Sequence, residues 1–137
     1  MNVVRIFPEH VARAWQDLGP MLRRSQAADQ PDGREIVFAG EGQLWAILDG
    51  DKPIAAAITR LYGDRLLLWQ IAGHRMSEWS QVFVWRIASW AKAMGCKAIY
   101  GAGRRGWKRV VEPLGFKRIA DIDGRPSWQL DIGEHHA

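Results

Sequence analysis

Cysteine is almost absent from this chain of 137 residues: only Cys96 is present, so no internal disulfide can form. A lone buried thiol in a strand fits a reducing, cytosolic compartment and reads as structural. One cysteine also offers no soft-ligand cluster for a metal, and His135-His136 sits in a tail that makes no preformed site. No apolar run approaches the ~20 residues that a membrane span needs. The segment from Met1 to Phe7 lacks the long apolar core and small-residue cleavage site of a signal peptide. Tyrosine is scarce too, limited to Tyr62 and Tyr100. Internal repeats, low-complexity tracts and interdomain linkers are lacking, so the reading is one domain over 1–137.

What is present is an ordinary globular composition, 47% hydrophobic and 25% charged. The net charge of +4 and pI of about 9.6 permit contact with phosphorylated cofactors, nucleic acid or acidic protein without requiring any of them. Eight tryptophans are the oddest feature. Indole buries much area at little entropic cost, which favours it at interfaces.

Periodicity divides the chain into a helical part over 1–35, a sheet with core helices over 36–132 and a tail over 133–137. Val11, Ala12, Trp15, Leu18, Met21 and Leu22 have helical spacing, with Gly19-Pro20 expected to kink or split the helix. Ala28 to Gly33 reads as a loop. Three apolar runs follow, 42–48, 53–61 and 65–71, separated by Asp49-Gly50-Asp51 and Tyr62-Gly63-Asp64, and predict a three-stranded antiparallel meander. A long helix is expected from Ser77, as N-cap, to Met94. Its core stripe is Trp79, Phe83, Ile87, Trp90 and Met94, with Trp85 projecting among polar neighbours on the opposite side. A strand, a basic helix and two further strands complete a mixed α/β order. The sheet is mostly antiparallel, with N-terminal helices, one long central helix and a short C-terminal helix.

From about Gly42 to Ile132, through the Leu114-Gly115-Phe116 helix ending, this order resembles the core of the Gcn5-related N-acetyltransferase (GNAT) fold. The resemblance implies a coenzyme A site where the strand before the long helix splays from its neighbour. Trp69, Ile71, Gly73, Arg75 and Ser77 are the cofactor contacts it implies, if coenzyme A binds. Family members grip the pyrophosphate with an Arg/Gln-x-x-Gly-x-Gly/Ala loop, whereas Ile71-Ala72-Gly73-His74-Arg75-Met76-Ser77 has one glycine. They also commonly place a proton-donating Tyr four residues before the Gly of the Gly-Phe step, where this chain has Val111. No catalytic residue is therefore assigned.

The small size, the tryptophans, the Gly103-Arg104-Arg105-Gly106-Trp107 turn and the Leu-Gly-Phe ending also resemble phage and prophage acetyltransferase-like proteins, including internal virion proteins. Those missing residues and this likeness lead to three expectations. The first is a non-catalytic GNAT-fold interaction protein without a cofactor, a component of a bacteriophage particle or its assembly. It would be found in the host cytoplasm or the virion. Its surfaces would be Trp85, Arg104, Arg105, Trp107, Lys108 and Arg109, meeting other protein chains in an oligomer or virion complex. The alternative is an acetyl-coenzyme A-dependent N-acetyltransferase. The third is a non-specific nucleic-acid binder, because the basic segment lacks any sequence-reading motif.

Overall fold

Apolar runs broken by short Gly- and Asp-containing turns fold into strands here, and the runs with three-to-four spacing fold into helices against them. A computed structural model describes residues 1–26 and 31–133. The His135-His136 tail and the Ala28-Asp29-Gln30 part of the expected loop lie outside the described residues. The strands are β1 (Asn2–Ile6), β2 (Gln43–Asp49), β3 (Lys52–Tyr62), β4 (Arg65–Gly73), β5 (Ala98–Ala102), β6 (Lys117–Ile122) and β7 (Arg125–Asp131). The helices are α1 (Val11–Ser25), α2 (Gly33–Phe38), α3 (Met76–Ala93) and α4 (Lys108–Val111), the last flanked by 3-10 turns. The strands form one sheet in the order β1-β2-β3-β4-β5-β7-β6, antiparallel except for the β4–β5 pair.

Alternation along the strands sends side chains to two separate cores. Trp45, Ile47, Ala55, Ala57, Leu66 and Ile99 face α3 and α4, where they meet Trp79, Phe83, Ile87, Val111 and Phe116. Leu44, Ala46, Ala56 and Ile58 face the other way, against Val11, Trp15, Leu18 and Leu22 of α1 and Val37 of α2. The central strand β3 is therefore covered on both sides. Its Ala55-Ala56-Ala57 run is fully buried, and such small side chains let helices approach closely from either face.

Several local expectations need correction. The helix α1 runs unbroken through Pro20, which lies on its exposed side, while its buried face packs on β3 and β4. The helix α2 was missed by periodicity because it is only six residues long, and the boundary expected at residue 36 cuts through it. Arg75, not Ser77, is the N-cap of α3. The apolar stripe ends at half-buried Trp90, since Met94 has left the helix and is 55% exposed. Seven of the eight tryptophans lie at least partly inside the fold, leaving only Trp85 on the surface.

Trp79 is fully buried and its Nε1 donates to the His74 carbonyl at 2.7 Å, fastening the start of α3 to the end of β4. Truncating it opens a large cavity and leaves that carbonyl without its donor. Trp79→Ala will therefore lower unfolding free energy by about 3–5 kcal/mol in a denaturant titration. Trp85→Ala, at a position 63% exposed, will shift it by no more than about 0.5 kcal/mol.

Candidate active site: a gap between two strands

Parallel strands need matched direction over their whole length to stay paired, and β4 and β5 keep it only briefly. Their register covers Arg65↔Ala98, Leu66↔Ile99 and Leu67↔Tyr100, after which the strands part. At the vertex a Cβ on Gly101 would stand 3.2 Å from the Leu68 carbonyl oxygen, so the absence of a side chain lets the strands approach there before they diverge. Just beyond it, Ile58 pairs with Gln70 while Thr59 pairs with Leu68, which makes Trp69 the extra residue of a bulge in β4. A bulge bends its strand, and this one falls where β4 leaves β5. From Leu68 to Gly73, β4 has no strand partner on its β5 side, so backbone amides and carbonyls face the opening.

The opening holds a cavity of about 1100 Å³. Its lining includes Lys108 and Val111 of α4 on one face of the sheet and Arg24 and Ser25 of α1 on the other, so the gap connects both faces. Trp69 stands half-buried at its wall, stacked beneath the Arg60 guanidinium at 5.5 Å, and does not plug it. Among the described residues, the ionisable lining side chains comprise Arg24, Arg104, Arg105, Lys108, Arg118 and Arg125 against one carboxylate, Asp121. That carboxylate already pairs with Arg118 at 2.6 Å. A concave site so lined attracts anions.

The residues implied as cofactor contacts divide. Trp69 and Ile71 line the gap. Gly73 and Ile71 line a smaller recess of about 310 Å³ beside it, with His74 and Met76. Gly73 is there for packing: a Cβ would fall 2.4 Å from the Ala55 Cα. Ser77 is exposed in the first turn of α3 and lines neither space. Arg75 adopts a left-handed backbone (φ 61°) and holds Asp49 at 2.7 Å and Glu78 at 2.8 Å. Its cation is thus already neutralised. Each partner's carboxyl is held below its ordinary value, chiefly by the hydrogen bond from Arg75, and the guanidinium is pushed up by the same bonds.

The residues expected on a partner surface also divide. Trp85 is exposed, but Trp107 is half-buried, packs on the α3-side core and, with Arg104, Arg105 and Lys108, lines the gap. Arg109 is exposed and lines neither space. Val111 faces the gap where the resemblance implies a tyrosine. Sequence reasoning missed Arg24 and Arg125, which lie on separate elements and carry no shared motif. Cys96 is buried, and burial pushes its thiol pKa up, as suits a structural residue. Among the described residues no metal-binding group exists, and no helix is long and apolar enough to cross a membrane.

A splayed parallel pair inside an otherwise antiparallel sheet, with a cationic through-gap, defines the class. The family model for the acetyltransferase (GNAT) domain matches residues 6–109, and the chain belongs to that family. Among solved structures, Tetrahymena GCN5 aligns with a TM-score of 0.78 at 13% identity, covering 99% of each chain. An aminoglycoside 6'-acetyltransferase type Ii gives 0.78 at 15%, covering 99% of this chain and 100% of that one. A Bacillus subtilis acetyltransferase in complex with CoA gives 0.68 at 13%, covering 85% and 91%. At such identities the likeness shows the fold. Among curated proteins, no sequence matches the chain.

The family match and these neighbours overturn two sequence expectations, a non-catalytic structural role and the absence of a cofactor. A missing glycine loop and a missing tyrosine describe two positions, whereas the gap is built by strand divergence and remains open.

The Asp49–Arg75–Glu78 cluster yields a pH test. Both carboxyl pKa values are depressed in the folded chain. Their stabilisation is present above the ordinary values of 3.8 and 4.5 and is lost as pH falls through the lower folded ones. The double variant Asp49→Asn/Glu78→Gln will therefore be less stable than wild type at pH 7, and the difference will vanish on acidification. Thermal melts at pH 7 and below pH 3 check it, and high salt will shrink the pH 7 difference.

Proposed function

We propose that this chain is an N-acetyltransferase that takes its acetyl group from acetyl-coenzyme A held in the β4–β5 gap. The observation that carries the reading is the gap itself: open through the sheet, edged by unpaired backbone of β4 and lined by cations. These features fit the ligand. Its extended pantetheine arm carries amides that an unpaired strand edge can meet, and its phosphates suit the positive lining. When bound, it supplies an activated thioester.

The chain's residues then orient, shield and stabilise. Trp69 and Ile71 wall the gap on β4, and Trp107 and Val111 wall it across from them. An acceptor amine reaches the thioester carbon in its neutral form; the C–N bond forms, the C–S bond breaks, and the amine's proton passes to water. Val111 cannot protonate the departing sulfur. Lys108 stands one helical turn before Val111 and lines the same gap, and we assign its ammonium to offset the negative charge that develops on the departing sulfur. Six cationic side chains against one paired carboxylate disfavour a polycationic acceptor. The acceptor is accordingly read as a neutral or anion-bearing amine.

Calorimetry with acetyl-coenzyme A, followed by thiol-release assays over an amine panel, tests this reading. Binding with thiol release in the presence of an amine is the expected result, and silence at millimolar ligand removes it. Lys108→Met will lower kcat on the order of a hundredfold while changing acetyl-coenzyme A affinity far less. Aspartate-like amines will outperform polyamines of similar size, and raising ionic strength will narrow the gap between them.

A further inference from the structure

The loop that begins α3 offers a diphosphate little beyond the helix's own first amides. Its one glycine packs against Ala55, the His74 amide donates to the Ile54 carbonyl at 3.0 Å, and Arg75 is neutralised by two carboxylates. Those three resources are engaged within the protein. Under the acetyltransferase reading, a coenzyme A whose diphosphate points toward this end of β4 brings its negative charge to the recess beside Gly73 and His74.

One residue answers that need from a different element. Arg24, in the last turn of α1, lines both the large gap and the recess beside Gly73, His74 and Met76. It is the one charged side chain common to the two linings among the described residues. Among those residues no ion pair or hydrogen bond engages its guanidinium, and it is exposed at the junction. The neighbouring hydroxyl, on Ser25, donates to the Leu22 carbonyl at 2.9 Å and so leaves the junction to Arg24. A guanidinium offers several N–H donors in a planar fork that matches phosphate oxygens, which a lysine cannot reproduce.

We propose that Arg24 grips the diphosphate of coenzyme A, moving that contact from the β4–α3 loop to the end of α1. This rests on the acetyltransferase reading and adds a residue that neither the family's loop pattern nor the sequence singled out.

Titration calorimetry with three probes separates the outcomes: coenzyme A, its 3′-dephospho form, which keeps the diphosphate, and pantetheine, which has neither phosphate. Arg24→Ala will weaken coenzyme A and the dephospho form alike, by about tenfold or more, and leave pantetheine unchanged. Arg24→Lys will recover part of the loss. Arg23→Ala, on the same turn but lining neither space, will bind as wild type. Unaltered coenzyme A binding by Arg24→Ala overturns the proposal. So does a loss confined to coenzyme A, which would assign Arg24 to the 3′-phosphate, or an equal loss in Arg23→Ala, which would make the effect one of net charge. Wild type that binds no coenzyme A at all removes the acetyltransferase reading, and this contact with it.

Discussion

The structure turns on one constraint: β4 and β5 pair over three residues and then cannot stay together. The Trp69 bulge tightens the bend of β4, and Gly101 lets the strands meet at the vertex before they separate. Two helix layers stabilise the sheet on either side, so the gap persists without collapsing. Val11, Trp15, Leu18 and Leu22 secure one face, while Trp79, Phe83 and Ile87 secure the other. An unpaired strand edge is ordinarily a liability for aggregation. Here it is recessed between layers, where a linear ligand rather than another chain can satisfy it.

Charge gives the gap its chemical character. Arg24 comes from α1, Arg104 and Arg105 from the β5–α4 turn, Lys108 from α4, and Arg118 and Arg125 from the last hairpin. Five of these cations fall within residues 104–125 and Arg24 stands far from them in sequence, yet all converge on one cavity whose carboxylate, Asp121, is itself paired. The other prominent cation, Arg75, is tied to Asp49 and Glu78, and with the Trp79 bond to His74 it braces the β4–α3 corner. Two nearby arginines therefore do different work: one holds the corner, the other stands open at the junction of the two spaces.

Much of the fold was legible beforehand. The Asp49-Gly50 and Tyr62-Gly63 turns divide the β2–β4 meander correctly, and Trp79, Phe83 and Ile87 mark the buried side of α3. The family resemblance also held, because element order survives at identities where motifs do not. The site was read less well. Counting residues located Val111 and the glycine-poor loop accurately, but their absence was taken as loss of function. That inference fails because a cavity depends on backbone divergence, which no single position encodes. Arg24 carries no motif, and its spacing on α1 marks only a helix end.

By itself the amino-acid sequence determined the long helices, the β2–β4 meander and the apolar stripe of α3, since these follow from periodicity and turn chemistry within short windows. Only the tertiary structure decided that β4 and β5 part, that the gap stays open, and which cations face it. Those outcomes depend on side chains more than a hundred residues apart being held against the same backbone edge, a distance over which local preference has no influence.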